Sequence, residues 1–94
     1  MVIGALKVRL KINGARSLKA KRKILKPLKD RLGHMNISIA EVEDQDIWQA
    51  STLGIAMVSN DSKYVNSRLD KVMEYIYQNA DAEVIESCIE IVHI

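Results

Sequence analysis

Residues 5–33 read ALKVRLKINGARSLKAKRKILKPLKDRLG, and within that stretch the spacing of apolar side chains changes once. Up to Ile12 the period is two. Leu6, Val8, Leu10 and Ile12 share one parity and Lys7, Arg9 and Lys11 the other, the pattern of a half-buried strand that begins near Val2. Asn13-Gly14 breaks the alternation. Ser17 then stands where an N-cap belongs, and the spacing becomes helical to about Leu32, with Gly33 as the stop. At 100° per residue, Leu18, Ile24, Leu25, Leu28 and Leu32 fall within an arc of about 120°, the buried stripe of an amphipathic helix. Pro27 removes a hydrogen bond to the carbonyl of Lys23 and costs about 3 kcal/mol in a helix interior, so a kink is expected over Lys23 to Lys26.

The remaining chain repeats these two periods. A second strand over residues 36–43 places Ile37, Ile39, Glu41 and Glu43 on one parity, which predicts a bulge or an early end. After the acidic turn EDQD (43–46), a third strand from Ala50 to Val58 carries Leu53, Ile55 and Met57 on one face. Thr52, Gly54, Ala56 and Val58 lie on the other, and both faces are dry enough to be covered. Ser59-Asn60-Asp61 supplies a capping signal for a second helix to about Gln78, with the stripe Val65, Leu69, Val72, Met73 and Ile76. Asn79-Ala80-Asp81 ends it. The last strand, Glu83 to Val92, alternates Ile85, Ile89 and Ile91 with Glu86, Cys88 and Glu90. The order βαββαβ predicts an α+β fold, the ferredoxin-like plait: a four-stranded antiparallel sheet with two helices on one face, one domain over residues 1–94.

The 94 residues, 48% of them hydrophobic, suffice for one small core without a disulfide or a structural metal. The lone Cys88 cannot form an internal disulfide, and with no apolar leader the expected compartment is the cytoplasm. Apolar runs such as LGIAMV (53–58) fall short of the roughly 20 residues that cross a bilayer.

Charge is distributed unevenly. Residues 1–31 hold 11 Lys/Arg and one acid, Asp30, whereas residues 32–94 hold 11 acids against Lys63, Arg68 and Lys71. In the plait the first and last strands are antiparallel neighbours, and patterning suggests the pairs Lys7–Glu90, Arg9–Cys88 and Lys11–Glu86 on the helix-free face. Such cations are expected to be answered by solvated ion pairs. The first helix differs. Lys19, Arg22, Lys23, Lys26 and Lys29 lie opposite its apolar stripe with only Asp30 among them. Lys19, Lys21, Arg22 and Lys23 occupy its first two turns, where the helix dipole disfavours cations. A helix selected for stability alone would place acids there. The arrangement makes sense if an anion lies against this end, so Arg16, Lys19, Lys21, Arg22, Lys23 and Lys26 form the candidate polyanion-binding set. The competing reading is the ordinary charged outer face of an amphipathic helix.

The segments SLKAKRKILKPLKDRL (17–32), AEVEDQDIWQ (40–49) and VSND (58–61) together resemble the YlxP-like family, small bacterial proteins of unknown function, and the likeness covers essentially the whole chain. It implies a ferredoxin-like fold. Through family genes that neighbour those for translation and small-subunit maturation, it also implies a connection with RNA or the ribosomal small subunit.

Other residues suggest chemistry less strongly. Glu41, Glu43, Asp44 and Asp46 could hold Mg²⁺ through oxygen, but without a calcium-loop glycine the simpler expectation is a loop docked on a basic neighbour, with no metal and no cofactor. Trp48 reads as a core lid or, if exposed, as a surface that stacks on a base or anchors a partner. Leu53, Ile55 and Met57 would join a homodimer interface if their face is the helix-free one. His34, His93 and Cys88 have no second ligand or base nearby in sequence and read as structural or solvated. Sheet-face RNA binding of the RRM type needs aromatics on the first and third strands, and neither contains Phe or Tyr. Asn13-Gly14-Ala15-Arg16 occupies the place of an acylphosphatase phosphate loop without its surrounding motif, which leaves an enzyme as the lesser reading and no catalytic residue assigned.

Overall fold

In β1 (Val2–Ile12) the period of two is realised directly: Leu6, Val8, Leu10 and Ile12 are buried while Lys7, Arg9 and Lys11 between them are exposed. The computed structural model describes residues 1–79 and 81–94, and continues with α1 (Leu18–Gly33), β2 (Ser38–Glu43), β3 (Ala50–Ser59), α2 (Ser62–Tyr77) and β4 (Ala82–His93). The chain thus has the βαββαβ order of the ferredoxin-like plait. Its four strands form one antiparallel sheet in the order β2-β3-β1-β4.

Local chemistry sets the helix ends. Ser17 caps α1 by accepting a hydrogen bond from the Ala20 amide at 3.0 Å, and Asp61 caps α2 by accepting from the Lys63 amide at 2.9 Å. Pro27 stands inside α1, which continues unbroken to Gly33, and the left-handed turn that follows falls on Asn36 at φ 61°. The expected helix-ending turn Asn79-Ala80-Asp81 includes Ala80, which lies outside the described residues. Leu25, Leu28 and Leu32 of α1 and Val65, Leu69, Val72, Met73 and Ile76 of α2 share one core with Leu6, Val8, Leu10 and Ile12 of β1. α1 rests against β2, and α2 against β1, β3 and β4.

Two expectations about the sheet are corrected. β1 and β4 pair as Lys7–Cys88, Arg9–Glu86 and Lys11–Glu83, with a register shift between Arg9 and Leu10, rather than as Lys7–Glu90, Arg9–Cys88 and Lys11–Glu86. Alternation specifies only parity, and the slip of two at Lys7 and Arg9 leaves those side chains on their own face, whereas beyond the shift the slip becomes three and Val84 and Ala82 turn to the core. Leu53, Ile55 and Met57 face the helices: they lie beside Val8, Leu6 and Gly4 of β1 and are buried in the core. Thr52, Gly54, Ala56 and Val58 therefore belong to the helix-free face, and Leu53, Ile55 and Met57 cannot contact a partner there.

Gly4 lets α2 approach the sheet. A Cβ at this position would lie 2.3 Å from Val65 Cγ1 and 3.0 Å from Leu69 Cδ1, both within the core. Gly4→Ala should cost about 1–3 kcal/mol through overpacking. The loss is read as a lower midpoint in chemical denaturation with an unchanged slope.

Candidate polyanion-binding site

The basic helix carries two kinds of cation. Lys21 points inward, and its side chain is 1% exposed. Its ammonium donates to Glu41 Oε2 at 2.9 Å, Asp44 O at 2.8 Å, Gln45 O at 3.1 Å and Ala50 O at 3.1 Å. An ammonium has three N–H groups and no acceptor, so these four oxygens satisfy it fully, with one proton shared. The Glu41 carboxylate also accepts from Ser51 Oγ at 2.7 Å, and the Glu41 carbonyl accepts from Gln45 Nε2 at 3.3 Å. The acidic segment does hold a cation, and that cation is the chain's own lysine. Lys21 therefore leaves the polyanion-binding set.

The backbone around this cage is shaped to form it. The β2–β3 register shifts between Glu41 and Glu43, because Glu41 pairs with Leu53 and Glu43 with Thr52. This bulge sends two carboxylates two residues apart to opposite faces of the sheet. Glu41 lies on the helix side with Lys21, whereas Glu43 meets Lys7 on the open face at 2.7 Å. That hydrogen bond, with the charge of Glu43, raises the Lys7 pKa above its ordinary value. Asp44 follows at φ 65°, in the left-handed region that Asp tolerates better than most residues. Its carboxylate accepts from Thr52 Oγ1 at 2.7 Å and pairs with Arg9 Nε at 3.4 Å, while its carbonyl turns to Lys21.

The other cations of α1 face solvent. Lys19, Arg22, Lys23, Lys26 and Lys29 line a shallow groove of about 500 Å³ together with Leu25, Asp30 and Glu41. Among the described residues, no ion pair engages any of these five cations, nor Arg16 in the turn before the helix. Glu41 belongs both to this groove and to the Lys21 cage, so the cage lies along the groove's wall. Arg31 stacks over the Tyr75 ring at 5.4 Å from its centroid and is occupied elsewhere. Trp48 is 52% exposed in the β2–β3 loop, beside the equally exposed Ile47; it is not a core lid.

The hollow at Asn13 is lined by Tyr77, Ala82, Glu83 and Val84, and Arg16 is not among its lining residues. His34, His93 and Cys88 are exposed, and among the described residues no three potential metal ligands come together. Among the described residues, no helix is long and apolar enough to cross a membrane. The buried lysine is the residue that sequence reasoning misplaced, and one signal could have found it. Lys21 precedes Leu25, Leu28 and Leu32 by four, seven and eleven residues, the spacing of the apolar stripe itself.

Fold and surface together define a small ferredoxin-like protein with a cationic helix face that no ion pair engages among the described residues. The chain belongs to DUF503, a family described as a protein of unknown function, which it matches over residues 3–89. It is similar to the "Uncharacterized protein YlxP" of Bacillus subtilis (strain 168), 37% identical over 76 residues that cover 80% of this chain and 83% of the relative. Among solved structures it resembles the structural-genomics protein YJCS at a TM-score of 0.58 and 15% identity, covering 97% of this chain and 99% of that one. It also resembles a de novo designed protein with a ferredoxin fold, at a TM-score of 0.55 and 14% identity, covering 98% and 84% of the two chains. These two likenesses concern the fold alone.

Lys21→Met keeps the buried stem and removes the ammonium, leaving the Glu41 carboxylate without its counter-charge. Breaking such a pair from one side costs about 3 kcal/mol, and in a chain of this size the thermal midpoint should fall by at least about 10 °C. Lys23→Met on the outer face should change it by no more than about a degree or two. Circular dichroism melts of the two variants make the comparison.

Proposed function

We propose that the exposed face of α1 binds the phosphate backbone of RNA without reading its sequence. Lys19, Arg22, Lys23, Lys26 and Lys29 make the contacts, with Arg16 at the near end. The observation behind this reading is that the chain's ion pairs engage Lys7, Arg9 and Lys21, while among the described residues none engages the outer helix cations. Like charges at spacings of three and four, such as Lys19–Arg22, Lys19–Lys23 and Arg22–Lys26, disfavour the free helix by a few tenths of a kcal/mol each. A polyanion relieves that repulsion and gains entropy from the counterions it releases. The family resemblance, with its translation-linked gene neighbourhood, points to ribosomal RNA of the small subunit as the natural source.

The open sheet face supports a second reading, a homodimer joined face to face. Val58 is 60% exposed there, and Val42 and Val92 are exposed on the same face with Ala40 and Ala56. Beside this apolar strip, Lys7, Arg9, Glu43 and Glu86 line a shallow hollow, a mixture of signs that a copy related by a two-fold axis can complement. Sedimentation should then show a dimer that Val58→Glu converts to a monomer. A wild-type monomer at every concentration would overturn this second reading.

The RNA reading is tested by titrating ribosomal RNA over a salt series with the wild type and a Lys19→Glu, Arg22→Glu, Lys23→Glu variant. Wild-type affinity should fall steeply with salt. Loss of three contacts should weaken binding at least about tenfold and flatten the logarithmic salt slope by about 2 for a single strand. Affinity that responds neither to salt nor to charge reversal would sink the proposal.

A further inference from the structure

The β2–β3 loop combines rigidity with an exposed aromatic ring. Three of the four oxygens around Lys21 are backbone carbonyls at the two ends of this loop, Asp44 and Gln45 on one side and Ala50 on the other. Ile47 donates its amide to the Asp44 carbonyl at 3.1 Å, which closes the loop further. With its carbonyls drawn inward on the ammonium, the loop leaves Ile47 and Trp48 outside, each about half exposed. A loosely held tryptophan would gain by folding back onto apolar surface. This one stands half exposed on a loop whose ends are tied to the first turn of the basic helix. A ring carried on a tethered loop loses less entropy on binding than one on a free loop.

The position of that ring suggests what it meets. Glu41 lines the lysine groove and is also a member of the cage, so the Trp48 loop is anchored at the wall of the groove that carries Lys19, Arg22, Lys23, Lys26 and Lys29. Cations able to follow a backbone, with an exposed aromatic on the loop anchored at their groove's wall, are the elements of a single-strand site. In a duplex the base faces are stacked on one another and unavailable to a side chain, whereas a single strand offers them. We propose that the ligand is single-stranded RNA and that Trp48 stacks on one of its bases while the helix cations hold the adjoining phosphates. This rests on the polyanion reading of α1. It adds a second kind of contact, selective for strandedness and tolerant of base identity.

Trp48 is the one tryptophan of the chain, so its own fluorescence reports the contact. A mixed-sequence RNA oligonucleotide is titrated into the full chain as a single strand and, in parallel, annealed to its complement. The single strand should quench Trp48 emission and bind more tightly than the duplex. Measured by anisotropy of labelled RNA, Trp48→Ala should weaken single-strand binding roughly tenfold, and Trp48→Phe should restore much of it. The salt slope should stay at the wild-type value in both variants, because no phosphate contact is lost. Circular dichroism melts of Trp48→Ala confirm that the variant compared is folded. Equal binding of the two RNA forms, with no effect of Trp48→Ala, would overturn the stacking proposal while leaving the polyanion reading intact. Failure of both RNA forms to bind would overturn both.

Discussion

Everything around the basic helix depends on one buried ammonium. Taking such a charge out of water costs several kcal/mol, and it is tolerated only where oxygen replaces the lost hydration completely. Here the replacement comes from β2 through Glu41, from the following loop through Asp44 and Gln45, and from the start of β3 through Ala50. A single atom thereby closes the β2–β3 connection onto α1. Two local irregularities serve this closure: the bulge after Glu41 and the left-handed backbone at Asp44. The latter costs on the order of 1–3 kcal/mol, and it persists because the ion and hydrogen-bond network around it offsets that cost.

The same network shows which cations of an unevenly charged chain are answered within the fold and which are left to the solvent. The acids Glu41, Glu43 and Asp44 answer Lys21, Lys7 and Arg9, cations from the basic first 31 residues. Because the bulge sends Glu41 beneath the helix and Glu43 to the open face, both sides of the sheet receive a carboxylate. Asp30 and Glu41 line the groove on the outer side of α1, yet among the described residues no ion pair reaches its cations. Charge cancellation therefore follows the geometry of the sheet and stops at the helix surface, where a regular strand carrying the same acids would have distributed them differently.

Much of the fold is legible in the sequence because its two periods are clean. Leu6 to Ile12 alternate without exception, the helical stripes are apolar at the right spacing, and Ser17 and Asp61 mark where helices begin. The outer cations of α1 were legible for the same reason. Three features were not. The β1–β4 register is hidden because a two-residue slip preserves parity and because no residue type marks the shift between Arg9 and Leu10. The facing of β3 is hidden because both its sides are apolar, and only its pairing with Leu6 and Val8 decides between them. Lys21 is hidden because a lysine is taken as solvent-facing unless its counter-charges are visible. Its oxygen partners lie 20 to 29 residues away, and three of the four are carbonyl groups that no residue type announces.

The cations in the first two turns of α1 oppose the helix dipole, and the structure divides that penalty into two parts. For Lys21 the unfavourable end of the dipole is outweighed within the protein, by a carboxylate and three carbonyls whose negative ends converge on it. Lys19, Arg22 and Lys23 have no such compensation among the described residues, although a neighbouring acidic segment was available to provide it. That segment spends its carboxylates on Lys7, Arg9 and Lys21 instead. The helix thus holds a structural cation and a solvent-facing set within one short stretch, on opposite sides of its axis. Stability and surface charge are carried by different residues, so the outer face is free to keep a field that the fold itself does not require.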